Sequence, residues 1–109
     1  MLDVQLNEAA GRTAYLAGFH AAQALIFERT GHSVKTHGGV KTEFHRQIRG
    51  DTRVDGDLRA FLGFAYNLKA IADYQTGPGS DVSPELAAEA IESAARFVAK
   101  MAELIGGEV

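Results

Sequence analysis

From Ala14 to Phe27 the chain is apolar or glycine at every position except His20 and Gln23, and this run constrains the fold more than any other feature. It is too long for a strand, which spans roughly four to eight residues. It is too short for a bilayer crossing, which needs about 20. A helix remains, and the pattern extends it from about Asp3 to Arg29, where Gly31 supplies a natural stop. A surface helix carries one apolar stripe. This helix is apolar on nearly every face, so it lies centrally in a bundle or half-buried at an interface between copies. Ala17, Gly18, Ala21 and Ala22 let another helix come close, and Tyr15, Gly18, Phe19 and Ala22 are the expected interface positions.

Three more helices follow, and no strand pattern does. The second opens at Thr36 as N-cap and runs to about Ile48, with Val40, Phe44 and Ile48 as one apolar ridge. Gly38 and Gly39 weaken its first turn. After a loop over 50–56, the third helix runs from about Asp57 to Tyr74. Its core stripe is Leu58, Phe61, Leu62, Ala65, Leu68 and Ala72, with Phe64 and Ile71 on a flank. A loop over 75–82 leads to the last helix, which has Ser83 as N-cap, Pro84 at the first position and Glu85 at the positive dipole end. Ala87, Ile91, Ala94, Val98, Met101 and Ile105 alternate steps of four and three and read as its seam. Short connections imply antiparallel neighbours. The expected fold is a single all-α domain over 1–109, an antiparallel up-and-down bundle of four to five helices.

The chain has no cysteine, which removes disulfides, thiolate zinc sites and thiol catalysis together and suits a reducing compartment. The N-terminus lacks the pattern of a secretory signal, and no segment reads as membrane-spanning, so a cytoplasmic location is expected. Charge is uneven. Residues 29–53 carry six basic side chains against two acidic, while 54–109 carry four against nine. The basic third either pairs with the acidic C-terminal helix or a second copy, which is the ordinary outcome, or offers Lys41, Arg46, Arg49 and Arg53 to phosphate.

Three stretches together resemble one family. Arg12-Thr-Ala-Tyr-Leu-Ala-Gly-Phe-His-Ala-Ala-Gln-Ala-Leu-Ile26 is similar to the hallmark helix of small bacterial and archaeal HEPN-domain proteins, where Arg-Ala-Tyr-Tyr leads into Phe-His-Ala-Ala. Lys35-Thr-His-Gly-Gly-Val40, followed by Phe44, is similar to that family's Thr-His-x-Gly-Val turn. Ala72-Asp73-Tyr74 resembles its Ala-Asp-Tyr ending. The resemblance implies a helical bundle, a homodimer, and a minimal nucleotidyltransferase as partner in a toxin–antitoxin-like pair. Many relatives are metal-independent ribonucleases with an Arg-x4–6-His motif. No Arg here has a His at that spacing: Arg29 to His32 is too close and Arg12 to His20 too far. The family usually has another helix before the Arg-Ala-Tyr segment; here it is either reduced to Asp3–Ala10 or missing, which would leave apolar surface for a partner.

His37 is the leading candidate for chemistry. It sits at a helix start beside two glycines and near Lys35 and Lys41, so Lys35, His37, Gly38 and Lys41 form a candidate phosphate or nucleotide site. Imidazole also titrates near neutrality and can serve as acid or base on RNA. The ordinary alternative is a structural histidine that bonds a neighbouring helix. His20, mid-helix in apolar company, reads as a satisfied buried group with Asp73 as candidate partner, or as an oriented base. Asp73 and Tyr74 end a helix where a carboxylate opposes the dipole, so Arg12 or His20 is expected to compensate it. His37, Lys41 and His45 share a helix face, but Lys41 repels a cation between them and zinc needs three or four ligands. No metal and no cofactor is implied.

Overall fold

The computed structural model of the protein describes residues 2–73 and 82–106. Among these lie four helices: α1 (Leu2–Thr30), α2 (His37–Gln47), α3 (Gly56–Asp73) and α4 (Pro84–Gly106). The described residues contain no strand, and the all-α bundle read from the sequence is the observed architecture. Residues 3–10 form the first turns of α1, not a separate helix. At about 1.5 Å per residue, α1 alone accounts for the molecule's 42 Å long axis. It packs against all three other helices, most extensively against α4.

The helix ends follow local chemistry. Gly31 turns with φ +75, and its amide donates to the Phe27 carbonyl at 2.8 Å, closing α1 as its sequence predicts. The Thr36 hydroxyl accepts the Gly39 amide at 3.0 Å, and Ser83 accepts that of Leu86 at 3.1 Å. α3 opens one residue earlier than expected because Asp55 is its cap, accepting the Leu58 amide at 2.9 Å. Tyr74 and all of the 75–82 loop except Val82 lie outside the described residues.

α3 runs antiparallel to α1: Gly18 lies against Phe61, while Arg12 donates to the Ala72 carbonyl at 3.0 Å. α2 runs in the same sense as α1. His37 meets Tyr15 at one end, and Arg29 donates to the Gln47 carbonyl at 3.0 Å at the other. Residues 31–36 double back along α1 to allow this, pinned where Gln23 donates to the Val34 carbonyl at 2.8 Å. The short-connection rule thus holds for α3 but not for the α1–α2 step, because the connection is extended rather than tight.

The core places every residue expected on the α2 ridge and the α3 stripe inside. The α4 seam is corrected. Its buried residues are Ala87, Ala90, Ala94, Phe97, Met101 and Leu104, whereas Ile91 and Val98 are 47% and 38% exposed. The apolar side of α4 is wide enough for two adjacent phases, and the bundle selects the one that buries Phe97. That ring stacks on Phe61 at 4.8 Å and meets Phe44 at 5.3 Å, joining three helices at one point. Arg59 holds the connection before α3: its guanidinium donates to the carbonyls of Asp51 (2.7 Å), Val54 (2.9 Å) and Ile48 (3.3 Å). Val54 is thereby fixed in a buried position.

Candidate functional site

The fold brings together Arg12 and Tyr15 of α1, His37 and Lys41 of α2, and Tyr66, Lys69 and Asp73 of α3. The Tyr15 hydroxyl lies 3.0 Å from His37 Nδ1, and the imidazole stacks on Tyr66 with centroids 3.8 Å apart and planes at 19°. Tyr15 closes the cluster edge-on to Tyr66 at 5.7 Å. Burial pushes the Tyr15 pKa up, so the phenol keeps its proton and donates to Nδ1 when the ring carries hydrogen on Nε2. Burial, then the positive fields of Lys41 and Lys69, push the His37 pKa below its ordinary value. At neutral pH the group is therefore a neutral imidazole with a fixed orientation.

Asp73 accepts from Lys69 at 2.6 Å and from Arg12 at 3.0 Å, and these two cations hold its carboxylate below the usual range. Of its expected partners Arg12 is present and His20 is not. His20 is exposed, with Nδ1 at 2.9 Å from Gln23 Oε1, so it is neither a buried group nor a partner of Asp73. The turn of α1 carries it outward. Lys35 lines a separate shallow hollow of about 350 Å³ with His20, Gln23 and Phe27. Gly38 is exposed, and the Thr36 cap already engages the next amide. Tyr66 and Lys69 escaped the sequence reading. Their signal was the spacing Tyr66, Lys69, Asp73, which sets a polar face of α3 beside its core stripe.

The segments that resemble one family on separate helices thus meet at one corner, with Arg12 on Asp73 and Tyr15 on His37. The family model for the HEPN domain matches residues 1–104. The chain belongs to the HEPN family. No curated protein and no solved structure shows significant similarity to it.

Two other surfaces of this HEPN domain bear on function. The expected interface set of Tyr15, Gly18 and Ala22 is buried within the domain, and Phe19 is half-buried. Tyr15 packs on α2 and α3 and Gly18 on α3 because α1 is the central helix. The outward face of α1 is instead Ala9, Thr13, Leu16, His20, Ala24 and Phe27, with Leu16 49% and Phe27 56% exposed. Beside it, the flank of α4 turned away from α3 exposes Ala88, Ile91, Ala95, Val98 and Ala102. None of these positions carries a charged side chain.

Two arginines of the basic third pair within their own segment. Arg46 binds Glu43 at 3.1 Å and Arg53 binds Asp51 at 2.8 Å, the latter with its carboxyl pushed down to about 2 by the Arg53 hydrogen bonds. No salt bridge among the described residues joins α2 to α4. The basic third meets the acidic helix only through the field of Glu103 on Arg53, with no salt bridge between the two among the described residues. Among the described residues no three His, Asp or Glu side chains converge to hold a metal ion, and no helix is long and apolar enough to cross a membrane.

Proposed function

We propose that this HEPN domain is an interaction module that forms a homodimer through the outer face of α1 and the adjoining flank of α4. The pair then serves a nucleotidyltransferase partner in a toxin–antitoxin-like system. The observation that carries the dimer is the uncharged two-helix face. It runs from Ala9 to Phe27 along α1 and covers on the order of 500 Å² when a helix rise of about 1.5 Å and a width of about 9 Å for each of the two helices are used. Monomeric proteins rarely leave more than a few hundred Å² of contiguous apolar surface open. A standard interface buries about 800 Å² per side. Family membership supports the partner. Sedimentation velocity tests the first step: the wild type runs as a dimer, and Phe27→Glu with Val98→Glu runs as a folded monomer. A wild type that stays monomeric at about 200 μM, where a stable interface of this size is saturated, overturns it. The second step is tested by tagged recovery from the native host. A nucleotidyltransferase in stoichiometric amount supports the reading, and recovery of the chain alone ends it.

A second reading rests on the His37 cluster. A neutral, oriented imidazole stands near Lys41, for which the described residues supply no salt-bridge acid, with the half-open Tyr66 ring beside it. This arrangement suits a nucleotide or RNA phosphate. In a metal-independent endonuclease His37, in the tautomer whose Nδ1–H donates to the Tyr15 oxygen, would take the proton of an attacking hydroxyl on Nε2, and Lys41 would stabilise the charge gathering on phosphorus. His37→Ala should then abolish cleavage while leaving the dimer and Tm in place. A nucleotide-binding regulator instead predicts a rise in Tm with millimolar nucleotide. No rise and no cleavage remove this reading.

A further inference from the structure

Between α3 and α4 lies an open groove of about 400 Å³, floored by Phe61, Phe64 and Ser93. Phe61 is buried at 3% exposure and Phe64 is half-buried, so the groove offers an aromatic floor at solvent depth. Its walls carry Asp57 from α3 and Glu89 and Glu92 from α4. Arg96, the one base at the rim, is held by Asp55. No salt bridge among the described residues engages Asp57, Glu89 or Glu92. Three carboxylates thus line an apolar trough from both sides, Asp57 within the field of Arg96 and Glu89 and Glu92 with no salt-bridge partner among the described residues.

We propose that this groove docks a basic amphipathic helix of a second protein. One apolar side chain of that helix rests on Phe64, and its Lys or Arg residues meet Asp57 on one wall and Glu89 and Glu92 on the other. Two antiparallel helices with a trough between them are a receiving surface for a third. The sign of the rim fixes the partner's chemistry, because nucleic acid and anionic lipid are both repelled by it. A second copy does not fit. The basic residues of α2 are partly spent on Glu43, and α2 exposes no large apolar side chain to insert. The groove lies on the opposite flank of α4 from the proposed dimer face, so a monomeric chain keeps it and either proposal can fail alone.

The test uses the full chain, labelled with 15N, and a synthetic helical peptide of about 15 residues, the length at which such helices begin to hold, with Leu or Phe at i, i+4 and Lys between. The expected result is saturable shifts in the amides of Ala60, Phe64 and Ser93, and no binding by the same peptide with Glu for Lys. Glu89→Gln with Glu92→Gln should weaken binding about five- to tenfold, the effect of losing two partly exposed ion pairs. Glu85→Gln, one turn outside the groove, should leave it unchanged. Unaltered Tm in all variants assigns the loss to the rim. Shifts that map elsewhere, or equal affinity in the double variant, would overturn the proposal. So would movement of the same amides with protein concentration alone, which would place a second copy in the groove.

Discussion

Gly18→Ala is the substitution that tests the packing of α1 on α3 most directly, because two effects of opposite sign compete there. Alanine is favoured over glycine inside a helix by about 1 kcal/mol. A Cβ at position 18, however, would lie 2.2 Å from Phe61 Cε2 and 3.1 Å from Cδ2, well inside the ~3.5–4.0 Å of optimal carbon contact. The ring is 3% exposed and stacked on Phe97, which is itself buried against Phe44, so it can give way only toward the α3–α4 groove that it floors. Overpacking of this kind costs about 1–3 kcal/mol, and the depth of the overlap places it at the upper end. The net effect is a loss of about 1–2 kcal/mol, or a Tm lower by roughly 5–15 °C for a chain of this size. Two other helical glycines serve as controls. A methyl at Gly11 meets Leu68 Cβ at an ordinary 3.5 Å, and one at Gly63 meets only the Lys41 ammonium at 3.7 Å. Gly11→Ala and Gly63→Ala should therefore be stabilising by up to about 1 kcal/mol. Urea and thermal unfolding by circular dichroism, at one protein concentration for all three, decide the matter. If Gly18→Ala matches the two controls, the close approach of α1 to α3 is refuted.

Arg59→Met keeps the stem but leaves three loop carbonyls without their shared donor, and should cost about 2–3 kcal/mol, seen as a lower urea midpoint at unchanged slope. Phe97→Ala should cost about 3–5 kcal/mol while the neighbouring Val98→Ala changes little; equal losses would contradict the observed phase of α4. His37 and His45 both have pKa values lowered, first by burial, then by Lys41, with Lys69 acting further on His37 and Arg59 on His45. The unfolded chain therefore binds protons first, near 6.5, so this contribution to stability is present above that pH and is lost as pH falls through the folded values. Tm should decline between about pH 7 and 5, and His37→Gln with His45→Gln should flatten the decline; a Tm that rises on acidification would contradict the sign.

Local signals carried most of the fold. Gly31, Thr36, Ser83 and Pro84 mark helix ends through chemistry that acts within one turn, and the α2 and α3 stripes follow from periodicity alone. Where two solutions share the same local pattern, tertiary packing chooses. The α4 seam shows this, for Ala87, Ala94 and Met101 belong to both phases and only the bulk of Phe97 distinguishes them. The apolar run of α1 indicated a central or interfacial helix, and it proves central on one side and open on the other, which is why the proposed interface uses Leu16 and Phe27 and not the buried Tyr15, Gly18 and Ala22. His37 stood out because a helix-start histidine among lysines is visible in one dimension. Tyr66 and Lys69 did not, because their relation to it depends on how residues 31–36 fold back.

That fold-back also sets how far the chain length there can vary. Carrying α2 from the end of α1 to the level of Tyr15 requires a climb of about 22 Å at 1.5 Å per helical residue. The seven steps from Thr30 to His37 span about 23–25 Å when drawn out. The tether is nearly taut. Lengthening it adds slack that solvent accommodates at little entropic cost, whereas removing even one residue would drag α2 along its axis and part His37 from Tyr15. Insertions in residues 31–36 should therefore be far better tolerated than deletions, an asymmetry that originates in reach alone.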